Sequence, residues 1–119
     1  LVEPDLEFDP LPTKIAEKIH RKVIKSFMDI LILAELKNDS MSGYDIIGAI
    51  HKRFGILVSS GTVYSILYSM ERDGLIKGIW NQRKRVYTLT EKGERNTEVL
   101  MKANGEIQSF LRNMLMLKD

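Results

Sequence analysis

The stretch SSGTVYSILYSMERDGLI, residues 59–76, decides how the chain is read. Val63, Ile66, Leu67 and Met70 fall at the i, i+3, i+4, i+7 spacing that turns one face of a helix toward a core. The opposite face lacks the Glu and Lys of an ordinary surface helix. It carries Gly61, Ser65, Tyr68, Ser69 and Arg72, with Thr62 and Tyr64 on its flanks. Small and rich in hydroxyls, such a face suits close approach to a polar surface. Ser59 or Ser60 supplies the N-cap and Gly74 the stop.

Upstream, Ile15, Ile19, Val23, Phe27, Ile30, Leu31 and Ala34 recur at helical intervals from Thr13, a fitting N-cap, to about Leu36. This predicts one long helix or two joined end to end. The second half, FMDILILAEL, is apolar almost all round and must be largely buried. KNDSMSG then breaks the pattern, and Ser42 with Asp45 three positions on makes a capping-box signature. A further helix is predicted over about 43–54, with Ile46, Ile47 and Ile50 inward and Gly55 as a left-handed cap.

Downstream, Leu75 to Trp80 and Arg85 to Leu89 gather β-formers around NQRK, a β-hairpin with a basic tip. Trp80, the only tryptophan, is expected to cover the inner face of this hairpin. Thr90 caps a last helix in which Leu100, Ala103, Ile107, Phe110, Met114 and Leu117 repeat at coiled-coil spacing. Only about two and a half heptads fit, and Gly105 costs roughly 1 kcal/mol of helix propensity. The seam therefore needs a partner.

With 119 residues, 44% hydrophobic and 29% charged, the chain has the balance of one globular domain. Residues 1–12 hold Glu3, Asp5, Glu7, Asp9 and all three prolines without a Lys or Arg, and read as a flexible acidic tail. The formal net charge of +2 therefore conceals 18 basic against 12 acidic groups, +6, in residues 13–119. That excess tolerates a polyanion. There is no Cys, so disulfides and thiolate zinc sites are excluded. The longest apolar run, Ile30 to Ala34, is far too short to span a bilayer, and the acidic opening does not read as a signal peptide. A cytoplasmic protein is expected.

Three helices, a hairpin and a long terminal helix give a mainly α fold: a winged helix-turn-helix over 13–90 with an N-terminal helical extension, and a C-terminal dimerisation helix over 91–119. In this arrangement the third helix, about 60–73, enters the major groove of DNA while the wing, 77–87, lies on the backbone or minor groove. Small hydroxyl side chains permit close approach to base edges and phosphates. Ser59, Ser60, Gly61, Thr62, Tyr64, Ser65, Tyr68 and Ser69 are the candidate groove contacts, and Lys77, Arg83, Lys84 and Arg85 the candidate phosphate contacts. Taken singly, Gly61, Thr62 and Ser65 are equally well first-turn chemistry, Tyr64 and Tyr68 core-edge packing, and the basic tip a solvated turn. Their joint order favours one clamp on a duplex.

Several segments resemble the PadR family of winged-helix transcription regulators: SGYDI at 42–46, GTVYSIL at 61–67, MERDGLI at 70–76 and YTLTEKG at 87–93. The resemblance covers Ile30 to about Gly93. It implies a prokaryotic homodimer on a palindromic operator, usually a repressor, with the C-terminal helix exchanged between protomers. It also implies that Ser60, Thr62 and Tyr64 approach DNA and that Tyr44 packs or reaches the backbone. The sequence departs from the family in having no proline beside GTVY, and in a helical extension over 13–26 that precedes the usual start.

The competing reading is a winged helix that binds protein and not DNA, supported by the small net charge and the mixed MERD segment. An enzyme is not expected. The serines have only two histidines available, His20 and His51, both on other predicted helices, and no glycine-rich phosphate loop is present. Neither histidine has a companion at metal spacing, so both are read as surface residues and no cofactor or metal is expected. A small apolar effector at the dimer interface, lined by Met114 and Met116, is the remaining possible partner, although methionine at helical spacing is more often core.

Overall fold

The computed structural model describes residues 14–116. The acidic segment 1–12, the Thr13 cap and Leu117 lie outside the described residues. The elements are α1 (Lys14–Ser26), α2 (Met28–Asn38), β1 (Met41–Ser42), α3 (Gly43–Phe54), α4 (Ser60–Arg72), β2 (Ile76–Asn81), β3 (Lys84–Leu89), α5 (Glu91–Lys102) and α6 (Asn104–Leu115).

The long first helix is two helices in series. Phe27, at φ −109° and ψ 20°, leaves helical geometry, yet backbone bonds from Phe27 N–H to Val23 O (3.0 Å) and from Leu31 N–H to Phe27 O (2.9 Å) bridge the step. Beyond it, α2 buries Met28, Ile32, Leu33 and Leu36, whereas α1 buries only Ile24. The all-round apolar character of FMDILILAEL is thus consumed in the core.

Around α2 pack α3, through Ile46 and Ile50, and α4, through Val63, Leu67 and Met70. Ile47, expected inward, is half-buried against the same cluster. The capping box at α3 forms in full: Ser42 Oγ accepts from Asp45 N–H and Asp45 Oδ2 accepts from Ser42 N–H, both at 3.1 Å. Gly55, at φ 71°, closes α3 with a bond to His51 O. Of the two serines before α4, Ser59 is the cap, its Oγ accepting from Thr62 N–H at 3.3 Å.

The hairpin belongs to a three-stranded antiparallel sheet of order β1-β3-β2. Two residues of the predicted turn, Met41 and Ser42, pair with Tyr87 and Val86. Two residues are too few to show the alternation by which a strand is recognised. The wing loop is Gln82 and Arg83, and Gln82 takes φ 61°, a conformation for which glycine is usual.

Thr90 ties the wing to α5. Its hydroxyl donates to Gly74 O (2.6 Å) and accepts from Gly93 N–H (3.1 Å), while its own N–H reaches Leu75 O (3.0 Å). Gly93 sits so close to the Leu75 carbonyl that a Cβ would overlap it. The terminal helix then bends at Ala103 (ψ 2°), across which bonds from Ala103 N–H to Val99 O and from Ile107 N–H to Ala103 O persist. Leu100 packs against the protein's own core, whereas α6 buries none of its residues.

Because backbone cannot yield as a side chain does, Gly93→Ala should lower unfolding free energy by about 1–3 kcal/mol, read as a reduced urea midpoint. A variant as stable as the parent would show that this junction is loosely packed. Asp45 provides a pH test. The Ser42 backbone N–H, then the Ser42 hydroxyl, then Lys84 at 3.4 Å hold its carboxyl below the ordinary 3.8. A depressed folded pKa gives stability that is present above the unfolded value and lost as pH falls through the folded one. The stability gap between the parent and Asp45→Asn should be full near neutrality and shrink once pH drops below 3.8. Urea unfolding across that range measures it, and a gap independent of pH would rule out the carboxylate charge.

Candidate nucleic-acid interface

Burial of Val63, Leu67 and Met70 fixes the rotation of α4 about its axis. Gly61, Ser65, Tyr68 and Arg72 consequently face solvent, with Tyr68 68% exposed and the Arg72 guanidinium 5.6 Å from its ring. The surface singled out in the sequence is therefore open. Its flanks differ. Thr62 and Ser69 are half-buried on the side of α1 and α2, where Ser65 and Ser69 line a cleft with Lys25, Ser26 and Asp29. Ser69 also accepts from Arg72 Nη2 at 3.5 Å. Tyr64 lies on the other flank, over Gly43, where an added Cβ would come within 2.5 Å of its ring. Tyr68 is therefore open, whereas Tyr64, 45% exposed, packs one side of its ring on buried Gly43.

No acid stands in the first turn of α4, so no carboxylate there offsets the positive end of its dipole. Exposed Ser60, Gly61 and the Ser59 cap surround that end. A helix start in this state favours a phosphate or another anion.

On the wing, the four predicted cations stand in different environments. Arg85 Nη2 donates to Glu71 Oε2 at 2.7 Å, and the same oxygen accepts from Gly78 N–H at 3.1 Å. Its guanidinium also lies 5.8 Å from the rings of Trp80 and Tyr87, in space that the missing side chain of Gly78 leaves free. Arg85 thus fastens the wing to α4. Lys84 makes the surface bridge to Asp45. Lys77 and Arg83 are exposed and pair with no acid among the described residues.

Tyr44, Tyr64, Trp80, Arg83 and Lys84 line a cleft of about 340 Å³ between α3, α4 and the wing. Trp80 is 65% exposed, yet it shares the wing's inner face with Ile76 and Tyr87, toward the tip, where it borders the cleft. Tyr44, at 77% exposure, is open as well. Sequence reasoning missed Glu71, because an acid beside Arg72 and Asp73 reads as a mixed surface run. It also missed Arg21 and Lys25 of α1, which share a cleft with Ser59 and Thr62. Among the described residues, no group of three or more His, Asp or Glu side chains could hold a metal, and no helix is long and apolar enough to cross a membrane.

Residues 32–99 match the model of the transcriptional regulator PadR-like family. Among solved structures, the fold resembles a PadR family transcription regulator from Clostridium difficile R20291, with a TM-score of 0.67 and 27% identity over 76% of this chain and 99% of that one. It also resembles Bacillus subtilis PadR in complex with operator DNA, with a TM-score of 0.55 and 25% identity over 62% of this chain and 46% of that one. A PadR-like regulator from Bacillus cereus shares the fold, with a TM-score of 0.70 and 22% identity over 82% of this chain and 99% of that one. Among curated proteins, none matches the sequence.

Proposed function

The chain belongs to the PadR-like family of transcriptional regulators, and we propose that it acts in the cytoplasm as a homodimeric repressor on a palindromic operator. The orientation of α4 carries this reading: its Gly61/Ser65/Tyr68/Arg72 face is exposed, its N-terminus is free of acids, and the wing stands beside it. Gly61, Ser65 and Tyr68 read the major groove, while Ser59, Ser60, Thr62, Tyr64 and Tyr44 position α4 against the phosphates. Ser69 is a marginal contact. Lys77 and Arg83 supply phosphate affinity, joined by Lys84 once it leaves Asp45. The operator-bound B. subtilis relative supports this reading.

Dimerisation explains α6. Ile107, Phe110 (68% exposed), Met114 (61%) and Leu115 lie bare along a helix with no buried residue. Ile15, Ile19 and Val23 make a second bare stripe along α1. Burying a large apolar side chain yields about 1.5–3 kcal/mol, so a few such contacts favour association strongly. In the dimer α6 pairs with its copy so that two α4 helices stand about 34 Å apart, one duplex turn. Leu100 and Ala103 anchor the seam to each protomer. Occupancy of the operator then suffices to block transcription.

Sites selected from random duplex should be inverted repeats with half-site centres about one or two helical turns apart. A selection without symmetry would sink the palindrome. Ile107→Asp with Phe110→Asp should give a monomer by analytical ultracentrifugation and cut operator affinity by at least about tenfold, since each α4 then binds alone. Monomers of undiminished affinity would refute the mechanism. Lys77→Gln with Arg83→Gln should weaken binding to every sequence and make the slope of log Kobs against log salt shallower by about 2. An unchanged slope would place the wing off the phosphates.

A further inference from the structure

The basic residues of α1 have no role in the interface described so far. Lys14, Lys18, Arg21 and Lys25 recur at i, i+4, i+7 and i+11, which at 100° per residue places them within an arc of about 60°. With a rise of 1.5 Å per residue they form a line of charge about 16 Å long. Lys22 stands on its shoulder, and Glu17 is the helix's only acid. None of the four lysines and arginines pairs with an acid among the described residues.

The line ends beside the recognition helix. Arg21 and Lys25 line a cleft of about 230 Å³ with Ser59 and Thr62, the cap and first turn of α4. Lys25 also borders the cleft along Ser65 and Ser69. Two acids border that cleft: Asp29, whose Oδ1 accepts from Ile30 N–H at 2.8 Å, and Asp73; neither pairs with Lys25. Burial of Ile24 and Met28 in the common core anchors the end of α1 that carries Arg21 and Lys25. The recognition helix therefore has cations on both flanks, the wing on one and α1 on the other.

We propose that the Lys14/Lys18/Arg21/Lys25 line is a second phosphate-binding track, gripping the backbone of the same duplex on the side of α4 opposite the wing. The occupant follows from charge complementarity and from continuity with the α4 surface. Unpaired cations spaced 4.5–6 Å apart match a polyanion carrying one charge per about 1.7 Å of axis. Contacts of this kind fix register and add affinity without reading sequence. The assignment rests on the duplex-binding role proposed above.

The test compares the full-length parent with Lys14→Gln/Lys18→Gln/Arg21→Gln/Lys25→Gln on a selected operator carrying long flanks, by fluorescence anisotropy across a salt series. The expected result is a salt slope shallower by about 2 to 3, at about 0.9 per phosphate contact, and affinity weaker by about tenfold or more near 0.1 M salt. The operator-to-scrambled affinity ratio should persist. The pair Lys14→Gln/Lys18→Gln, far from buried Ile24, should show about half the slope change even if the fourfold variant fails to fold. Slope and affinity unchanged in these variants, while Lys77→Gln/Arg83→Gln loses both, would overturn the track and leave the DNA-binding role standing. Loss of binding to anionic vesicles with DNA binding unchanged would also overturn it, in favour of a membrane surface. A parent with no salt-dependent duplex binding would remove the proposed function itself.

Discussion

The exposed face of α4 and the wing beside it depend on how α4 is locked into the core. Val63 and Leu67 are wholly buried, Met70 nearly so, and they meet Ile32, Ile46 and Ile50, which are equally inaccessible. Interiors of this density tolerate neither voids nor extra volume, and each lost contact of this size costs about 2–5 kcal/mol. Turning α4 by one residue, about 100°, would bring Ser65 or Tyr68 toward the interior and expose two of the three anchors. The helix thus has one admissible rotation, and the composition of its outer face becomes a statement about what it touches.

The wing is aimed by a different kind of constraint. Its strands pair with each other and with a two-residue β1, and Ile76 and Tyr87 root the base of this sheet in the common core. Polar anchors then add direction: Glu71 holding both Gly78 N–H and Arg85, and Thr90 holding Gly74 O and Gly93 N–H. Glu71 lies on α4 itself, so these bonds join the wing directly to that helix. Gly78 and Gly93 matter as missing side chains, the first making room for Arg85 and the second for the Leu75 carbonyl.

Local patterns made the helices, the caps at Ser42, Ser59 and Thr90, and the open face of α4 legible in the sequence. Each is set within one turn or one helical repeat, as when Ser42 and Asp45 form their box across three residues. What escaped depends on residues distant in sequence. Glu71 and Arg85 are 14 residues apart, Lys84 and Asp45 are 39 apart, and Met41 finds its strand partner at Tyr87. Alternation does place Trp80 on the face of Ile76 and Tyr87, but it does not say that the position toward the wing tip stays 65% exposed. The step at Phe27 leaves no mark in the apolar period because backbone bonding continues across it.

Counting basic residues at the wing tip overstates the charge available to a phosphate. Lys84 and Asp45 meet at 3.4 Å with side chains 56% and 42% exposed, a bridge of the sort worth about 0–1 kcal/mol. A phosphate can displace that aspartate cheaply. Arg85 is bonded to Glu71 at 2.7 Å, a charge-assisted bond, so moving Arg85 would leave Glu71 with only its Gly78 N–H partner. On the proposed reading the wing offers Lys77 and Arg83 directly, Lys84 by exchange with Asp45, and Arg85 only if it gives up its bond to Glu71. In that reading, a wing so thinly charged grips a polyanion weakly alone, and the helix dipole of α4 and the cations of α1 are the sources on this surface that add to it.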